Sequence, residues 1–294
     1  MHDSHVHLAM KPLSENWKRD IQDFLNLGGK KILTQGTDIE DFQETLKLAE
    51  DINDEFKQNI IDVALGIHPT IFQENFYQKN TDGILSSSKK FLKRFQEYFE
   101  REKNNLTAIG ETGLDYFQMY QNGLTEEKIQ IFQDIQKESF RLHIRLAKEN
   151  ELPLSIHARE LEGENSCISD ALDIVVKEGR CLTKGVFHSY TGDINKLHDI
   201  LDMGFGLGFN AIITYTSGKN VRKILRETPL DKILFETDGP FLPTQSVRKD
   251  KRSIVNYGRS AQVKEIIIVA AEIKNVSPEK LEKIADENYQ RIFG

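Results

Sequence analysis

The sequence predicts a closed barrel of eight parallel strands alternating with helices, a (β/α)8 or TIM barrel. Three observations predict it. Short apolar runs recur along the chain, each ending on a polar residue and followed by a longer amphipathic stretch. Eight such runs fit within 294 residues, which favours a closed barrel over an open doubly wound sheet. No internal repeat, low-complexity tract or Pro/Gly/Ser linker divides the chain, so residues 1–294 read as a single domain with two C-terminal helices.

In chain order, the first strand is expected between Asp3 and Leu8. The runs Lys31–Thr34, Ile60–Leu65, Leu106–Ile109 and Leu152–Ile156 supply the next four. Lys184–Phe187, Phe205–Phe209 and Lys232–Phe235 complete the eight. Helical periodicity lies between them over Ile39–Ile52, Phe91–Arg101, Glu126–Glu149, Ser169–Lys177 and Ile194–Met203. Two further helices, Ala261–Ile273 and Pro278–Ile292, close the chain. The polar stretch from Ile71 to Asn105 reads as an expanded connection containing one helix.

Composition narrows the function classes. Hydrophobic residues at 38% and charged residues at 29% suit an ordinary folded protein and exclude a disordered one. No run approaches the apolar length that spans a bilayer, so no membrane partner is expected. The opening Met1-His2-Asp3-Ser4-His5 lacks a charged-then-apolar leader, and Cys167 and Cys181 have no paired spacing. A cytoplasmic, monomeric protein with free thiols is the expectation. A net charge of −7 excludes a protein that holds nucleic acid by bulk attraction. Any polyanionic substrate would need a few Arg or Lys side chains, or bound metal.

The chemistry is carried by the residues at the strand ends. His5 and His7 flank Val6, Glu111 follows Ala108-Ile109-Gly110, and His157 follows Leu154-Ser155-Ile156. His188 follows Val186-Phe187, and Asp238 follows Leu234-Phe235-Glu236-Thr237. In a barrel these ends converge on one face, where such enzymes place their active sites. Each residue alone has an ordinary reading: His-x-His occurs by chance, a single His can be a satisfied core residue, and Glu111 can cap a helix. Together those readings fail, because burying so many polar groups at one rim without a metal or substrate is costly. Four imidazoles and two carboxylates suffice for two divalent ions sharing a bridging carboxylate. The set contains no cysteine, and imidazole suits zinc, manganese, iron or cobalt better than a magnesium-only cage. Two ions drawn from zinc, manganese or magnesium are the expected cofactors.

The motifs Asp3-Ser4-His5-Val6-His7-Leu8, Gly66-Ile67-His68-Pro69 and Ile109-Gly110-Glu111-Thr112-Gly113-Leu114-Asp115-Tyr116 run in order along the chain. They are followed by Ile156-His157-Ala158-Arg159, Phe187-His188-Ser189-Tyr190-Thr191-Gly192 and Phe235-Glu236-Thr237-Asp238-Gly239-Pro240-Phe241-Leu242. With the closing Glu287–Gly294 they resemble the TatD family of metal-dependent deoxyribonucleases over essentially the whole chain. The resemblance implies roles. His5, His7 and Asp238 would hold one ion with Glu111, and Glu111, His157 and His188 the other. Asp238 would also orient the attacking water and accept its proton, with His68 as the substitute base and Asp3 supporting the ligands from behind. The implied substrate is DNA, single-stranded or at 3′ ends, cleaved by a 3′-to-5′ exonuclease or an otherwise non-specific nuclease.

Three departures from the family pattern fall where substrate would be contacted. Thr70 stands where a second His often follows Gly-x-His-Pro, and the connection beyond it is long. An Arg-Asn-Glu-Pro element is replaced by Gln245-Ser246-Val247-Arg248-Lys249-Asp250-Lys251-Arg252. Arg159, Tyr116 and Arg248 are the expected substrate contacts. For Arg159 a rim ion pair is the alternative, and for the Arg248–Arg252 run a solvated loop. Two other functions fit the sequence: hydrolysis of an ester or amide such as an aminoacyl bond on tRNA, and a barrel kept only as a binding scaffold. The scaffold reading predicts eroded ligands, and all six are present.

Overall fold

A computed structural model of the chain describes residues 1–121, 123–161, 163–164, 166–178, 184–252 and 254–294. Its strands are β1 (His2–Val6), β2 (Lys31–Gly36), β3 (Ile61–Leu65), β4 (Ala108–Asp115), β5 (Leu154–Arg159), β6 (Gly185–Phe187), β7 (Gly206–Phe209) and β8 (Ile233–Phe235). Each pairs in parallel with its successor, and a bridge between Val6 and Gly239 returns the end of β8 to β1. This is the (β/α)8 barrel the apolar runs predict. The strands are buried on both faces, which is why they read as continuous apolar runs rather than alternating ones.

The surrounding helices are α1 (Leu13–Asn26), α2 (Phe42–Phe56), α3 (Ile71–Phe76), α4 (Thr81–Glu102), α5 (Phe117–Gln121) and α6 (Glu126–Glu149). They continue with α7 (Ser166–Glu178), α8 (Leu197–Asp202), α9 (Lys219–Glu227), α10 (Gln245–Lys249), α11 (Val263–Lys274) and α12 (Pro278–Phe293). Helix α6 begins where Thr125 accepts a hydrogen bond from Lys128 N, with Glu126 and Glu127 in the first turn. Helix α12 begins on the Ser277 cap with Pro278 in its first turn.

The Ile71–Asn105 connection holds two helices, not one. Asn80 caps Gly83 N at 2.9 Å and starts α4 ten residues before the expected Phe91. Its buried face, Ile84, Ser88, Phe91, Phe95 and Phe99, keeps the helical spacing through a polar, serine-rich first half. Strand β4 also runs on from Ile109 to Asp115, and β5 from Ile156 to Arg159. The glycines and polar residues of that extension hide it from an apolar-run reading. Glu111 and His157 therefore lie within their strands.

Among the described residues two clusters make the core. The larger fills the space between sheet and helices. The smaller joins Leu33, Ala64, Ala108, Val186 and Leu234, from five different strands, to Tyr289, Ile292 and Phe293 of α12. Side chains from five strands can meet only inside the barrel, so α12 plugs the end opposite the strand C-termini. Cys167 is a buried free thiol, and Cys181 lies outside the described residues. Among the described residues no helix is long and apolar enough to cross a membrane.

One buried histidine ties α6 to the loop after β3. His143 Nδ1–H donates to Ser139 O at 2.7 Å, and its Nε2 accepts from Ile67 N at 3.0 Å. The ring stacks on Phe95, and burial drives its pKa from 6.5 down to about 4. The unfolded chain thus binds more protons than the folded one between those values. Stability contributed by neutral His143 is complete above pH 6.5 and is lost as pH falls toward 4, by on the order of 3 kcal/mol. The gap in urea unfolding free energy between wild type and His143→Gln should therefore narrow on acidification; a gap constant from pH 7 to 4 would show that folding leaves the pKa of His143 unchanged.

Candidate metal centre

The strand C-termini bring the predicted residues to one floor. Glu111, buried in β4, sits at its centre. His188 Nε2 lies 2.7 Å and His157 Nδ1 2.8 Å from its Oε1, with His68 Nε2 at 3.5 Å. His5 Nε2 and His7 Nε2 stand 3.3 and 3.6 Å from its Oε2. Five imidazoles therefore surround one carboxylate. Burial opposes ionisation of Glu111, yet His188, His68 and His5 hold it well below the usual carboxylate range. Burial likewise disfavours charge on His188, but Glu111 and Glu236 draw its pKa well above the usual imidazole value.

Backbone geometry explains the convergence. His5 and His7 are two residues apart, so they share a face while Val6 turns into the core. Asp3 fixes this end of β1: its carboxylate accepts from Thr237 N at 2.9 Å, Thr237 Oγ1 at 2.6 Å and His5 N at 3.3 Å. Asp238 N donates to His5 O and His7 N to Gly239 O, which locks Asp238 beside the pair. Asp238 takes the left-handed backbone at φ 51°, and its Oδ1 lies 3.4 Å from His7 Nε2. Burial opposes its ionisation, but His7, His188 and His5 hold its pKa below the ordinary carboxylate value. Gly113, at φ 143°, lets β4 approach β5; a Cβ there would stand 1.9 Å from His157 O.

Outer partners orient several rings. Asp115 Oδ2 lies 3.0 Å from His157 Nε2, leaving Nδ1 for Glu111 and His188. Ser155 Oγ meets His5 Nδ1 at 3.1 Å, and Thr70 Oγ1 meets His68 Nδ1 at 2.8 Å. Buried Glu236 takes a hydrogen bond from Ser189 N and stands 3.5 Å from His188 Nδ1. The expectation from sequence omitted Asp115 and Glu236.

The donors suit a divalent cation. Ligand atoms of His5, His7 and Asp238 lie within 4.8 Å of one another, as do those of His68, Glu111 and His157, and of His5, His188 and Glu236. His5 Nε2 is buried without a hydrogen-bond partner although it faces two carboxylates. An orphaned imidazole nitrogen in an all-nitrogen-and-oxygen set is what a metal ion would satisfy.

The floor opens into a cavity of about 550 Å³. Arg159 is exposed at its wall, its guanidinium lying 4.1 Å over the Phe117 ring. Tyr116 is not at the cavity. It is buried, and its hydroxyl donates to Asp170 in α7 at 2.7 Å, so the expected substrate contact is corrected to a packing role. Arg248, in α10, covers Tyr215 at 4.5 Å and is not among the residues lining the cavity.

A (β/α)8 barrel with this imidazole–carboxylate floor at its strand C-termini is the architecture of a metal-dependent hydrolase. The chain belongs to the TatD-related DNase family, whose pattern it matches over residues 2–294. It is 31% identical over 295 residues to an uncharacterized metal-dependent hydrolase of Buchnera aphidicola subsp. Baizongia pistaciae, covering 99% of this chain and 95% of that protein. It is 29% identical to the uncharacterized metal-dependent hydrolase YabD of Bacillus subtilis, over 99% of this chain and 98% of that one. The fold matches the crystal structure of YJJV, a TatD homologue from Escherichia coli, with a TM-score of 0.76. That match has 23% identity and covers 100% of this chain and 97% of the other.

Proposed function

We propose that this metal-dependent hydrolase is a phosphodiesterase acting on DNA ends, most simply a 3′-to-5′ exonuclease on single strands. The observation that carries the reading is the ring of five imidazoles around Glu111 at the floor of an open cavity whose wall presents Arg159. His5, His7 and Asp238 would hold one divalent ion, and His157 and His188 a second, with Glu111 between them. Bound there, such ions supply Lewis-acid polarisation of a phosphoryl oxygen and acidify water. Asp238 orients the attacking water and takes its proton. Arg159, kept flat by Phe117, presents its planar fork to a non-bridging phosphate oxygen. Asp115 holds His157 in one ring orientation, and Glu236 does the same for His188.

A net charge of −7 leaves little long-range attraction for a polyanion, so binding rests on the floor and Arg159. A short stretch of DNA should suffice, with a shallow salt slope corresponding to about two to four neutralised phosphates. Linear and circular single-stranded DNA should be compared across a salt series with zinc, manganese or magnesium added, beside an aminoacylated RNA. Cleavage of linear DNA with circles spared is expected. Rapid cutting of circles with a steep slope would replace the end-directed reading by a broad basic track. Preferred turnover of the aminoacyl ester would move the substrate class from phosphorus to carbon.

A further inference from the structure

Phe241 is out of place for a packing residue. It is 58% exposed, yet it stands three residues after Asp238, at the cavity mouth, with its ring edge-on to His7 at 5.5 Å. Its backbone is fixed: Phe241 N donates to Asp238 O, and Gly258 N donates to Pro240 O. The ring is therefore presented to solvent on an anchored turn. The cavity lining also includes the apolar side chains of Met10, Ile212 and Leu242, the last of them next to Phe241 in sequence. Arg159 rises from β5, three strands away in the sheet order. A polyanion needs the polar floor and the guanidinium; it has no use for apolar side chains. A nucleotide needs both, because its base offers a flat apolar face beside the charged phosphate.

Building on the nuclease reading above, we propose that Phe241 is the stacking platform for the terminal nucleobase and thereby a specificity-determining residue. The base lies against Phe241, and its phosphate lies between the floor and Arg159. Stacking accepts any base, so the site discriminates the presence of a base and not its identity. An abasic end should then be a poor substrate even though every phosphodiester remains.

The test uses short single-stranded oligonucleotides that end in a normal or an abasic nucleotide, at either end, with the metal-loaded protein. Wild type should favour the base-bearing end by about tenfold in kcat/KM, the scale of one base–aromatic stack. Phe241→Ala should lose efficiency mainly through KM and cut both ends alike, whereas Phe241→Trp should keep the preference. A binding readout separates stacking from turnover: on an Asp238→Asn background, terminal 2-aminopurine fluorescence should be quenched on binding, and Phe241→Ala should abolish the quench. Equal cutting of both ends by wild type, or an equal loss on both in Phe241→Ala, would overturn the stacking role while leaving the nuclease reading intact. Failure of wild type to cut any DNA end would overturn both.

Discussion

Replacing Glu111 by alanine is expected to empty the floor of the barrel of divalent metal and to abolish activity. One buried carboxylate stands within 3.6 Å of five imidazole nitrogens, and among the described residues no other carboxylate has that position. Asp238 reaches His5 and His7 from one side, and Glu236 faces His188 from another. Neither bridges the two halves as Glu111 does. Without Glu111 the rings face one another across a gap whose remaining carboxylates, Asp238, Glu236 and Asp115, stand at its edges, and a cation entering it meets fewer donors. Losing an outer partner of a metal ligand typically costs ~10–100-fold in affinity or activity, and the loss here should exceed that. Elemental analysis after reconstitution should give about two ions per chain for wild type, by the two-ion logic of such sites, and a fall at both positions together in the variant. Unchanged occupancy in Glu111→Ala would remove the bridging role, and loss of a single ion would confine Glu111 to one half.

The barrel was legible in the sequence because its strands are buried on both sides and its helices on one, which gives each a different apolar period. What stayed hidden follows from parity. Residues two apart on a strand share a face, the reasoning that paired His5 with His7. Applied to β4, it separates Glu111, Gly113 and Asp115 from Tyr116, which continues the pairing onto Arg159 O and turns away to meet Asp170. The same count past β5 puts Arg159 on the side of His157, and past β8 it groups Glu236 with Asp238. Asp115 and Glu236 could therefore have been found from alternation alone. The polar start of α4 could not be read from periodicity, because its few apolar positions emerge only when Asn80 is recognised as a cap. The His68–Thr70 contact needed coordinates: nothing in Gly-Ile-His-Pro-Thr says that the hydroxyl will meet the imidazole two residues before it.

Asp238→Asn is expected to separate chemistry from folding. The residue occupies left-handed backbone at φ 51°, which asparagine tolerates as well as aspartate and alanine does not. The hydrogen bonds that place it are made by its backbone, to His5 O and from Phe241 N, and survive the substitution. What changes is the side chain: one oxygen becomes an amide nitrogen, and the negative charge beside His7 and His5 is lost. An amide cannot take a proton from water. If Asp238 is the group that does so, turnover should fall by ~10²–10⁴, the usual cost of losing general-base assistance. On the phosphodiesterase reading the loss should appear in kcat, because Arg159 and the rest of the floor would still hold the substrate. Thermal unfolding should stay close to wild type. Metal content needs measuring in parallel, since a drop in occupancy at the His5–His7 half would also lower the rate. Turnover near the wild-type level with the metal retained would take the proton-accepting role from Asp238. The next group to test would be His68, which shares the floor 3.5 Å from Glu111 and is more open to solvent than the other rings around it.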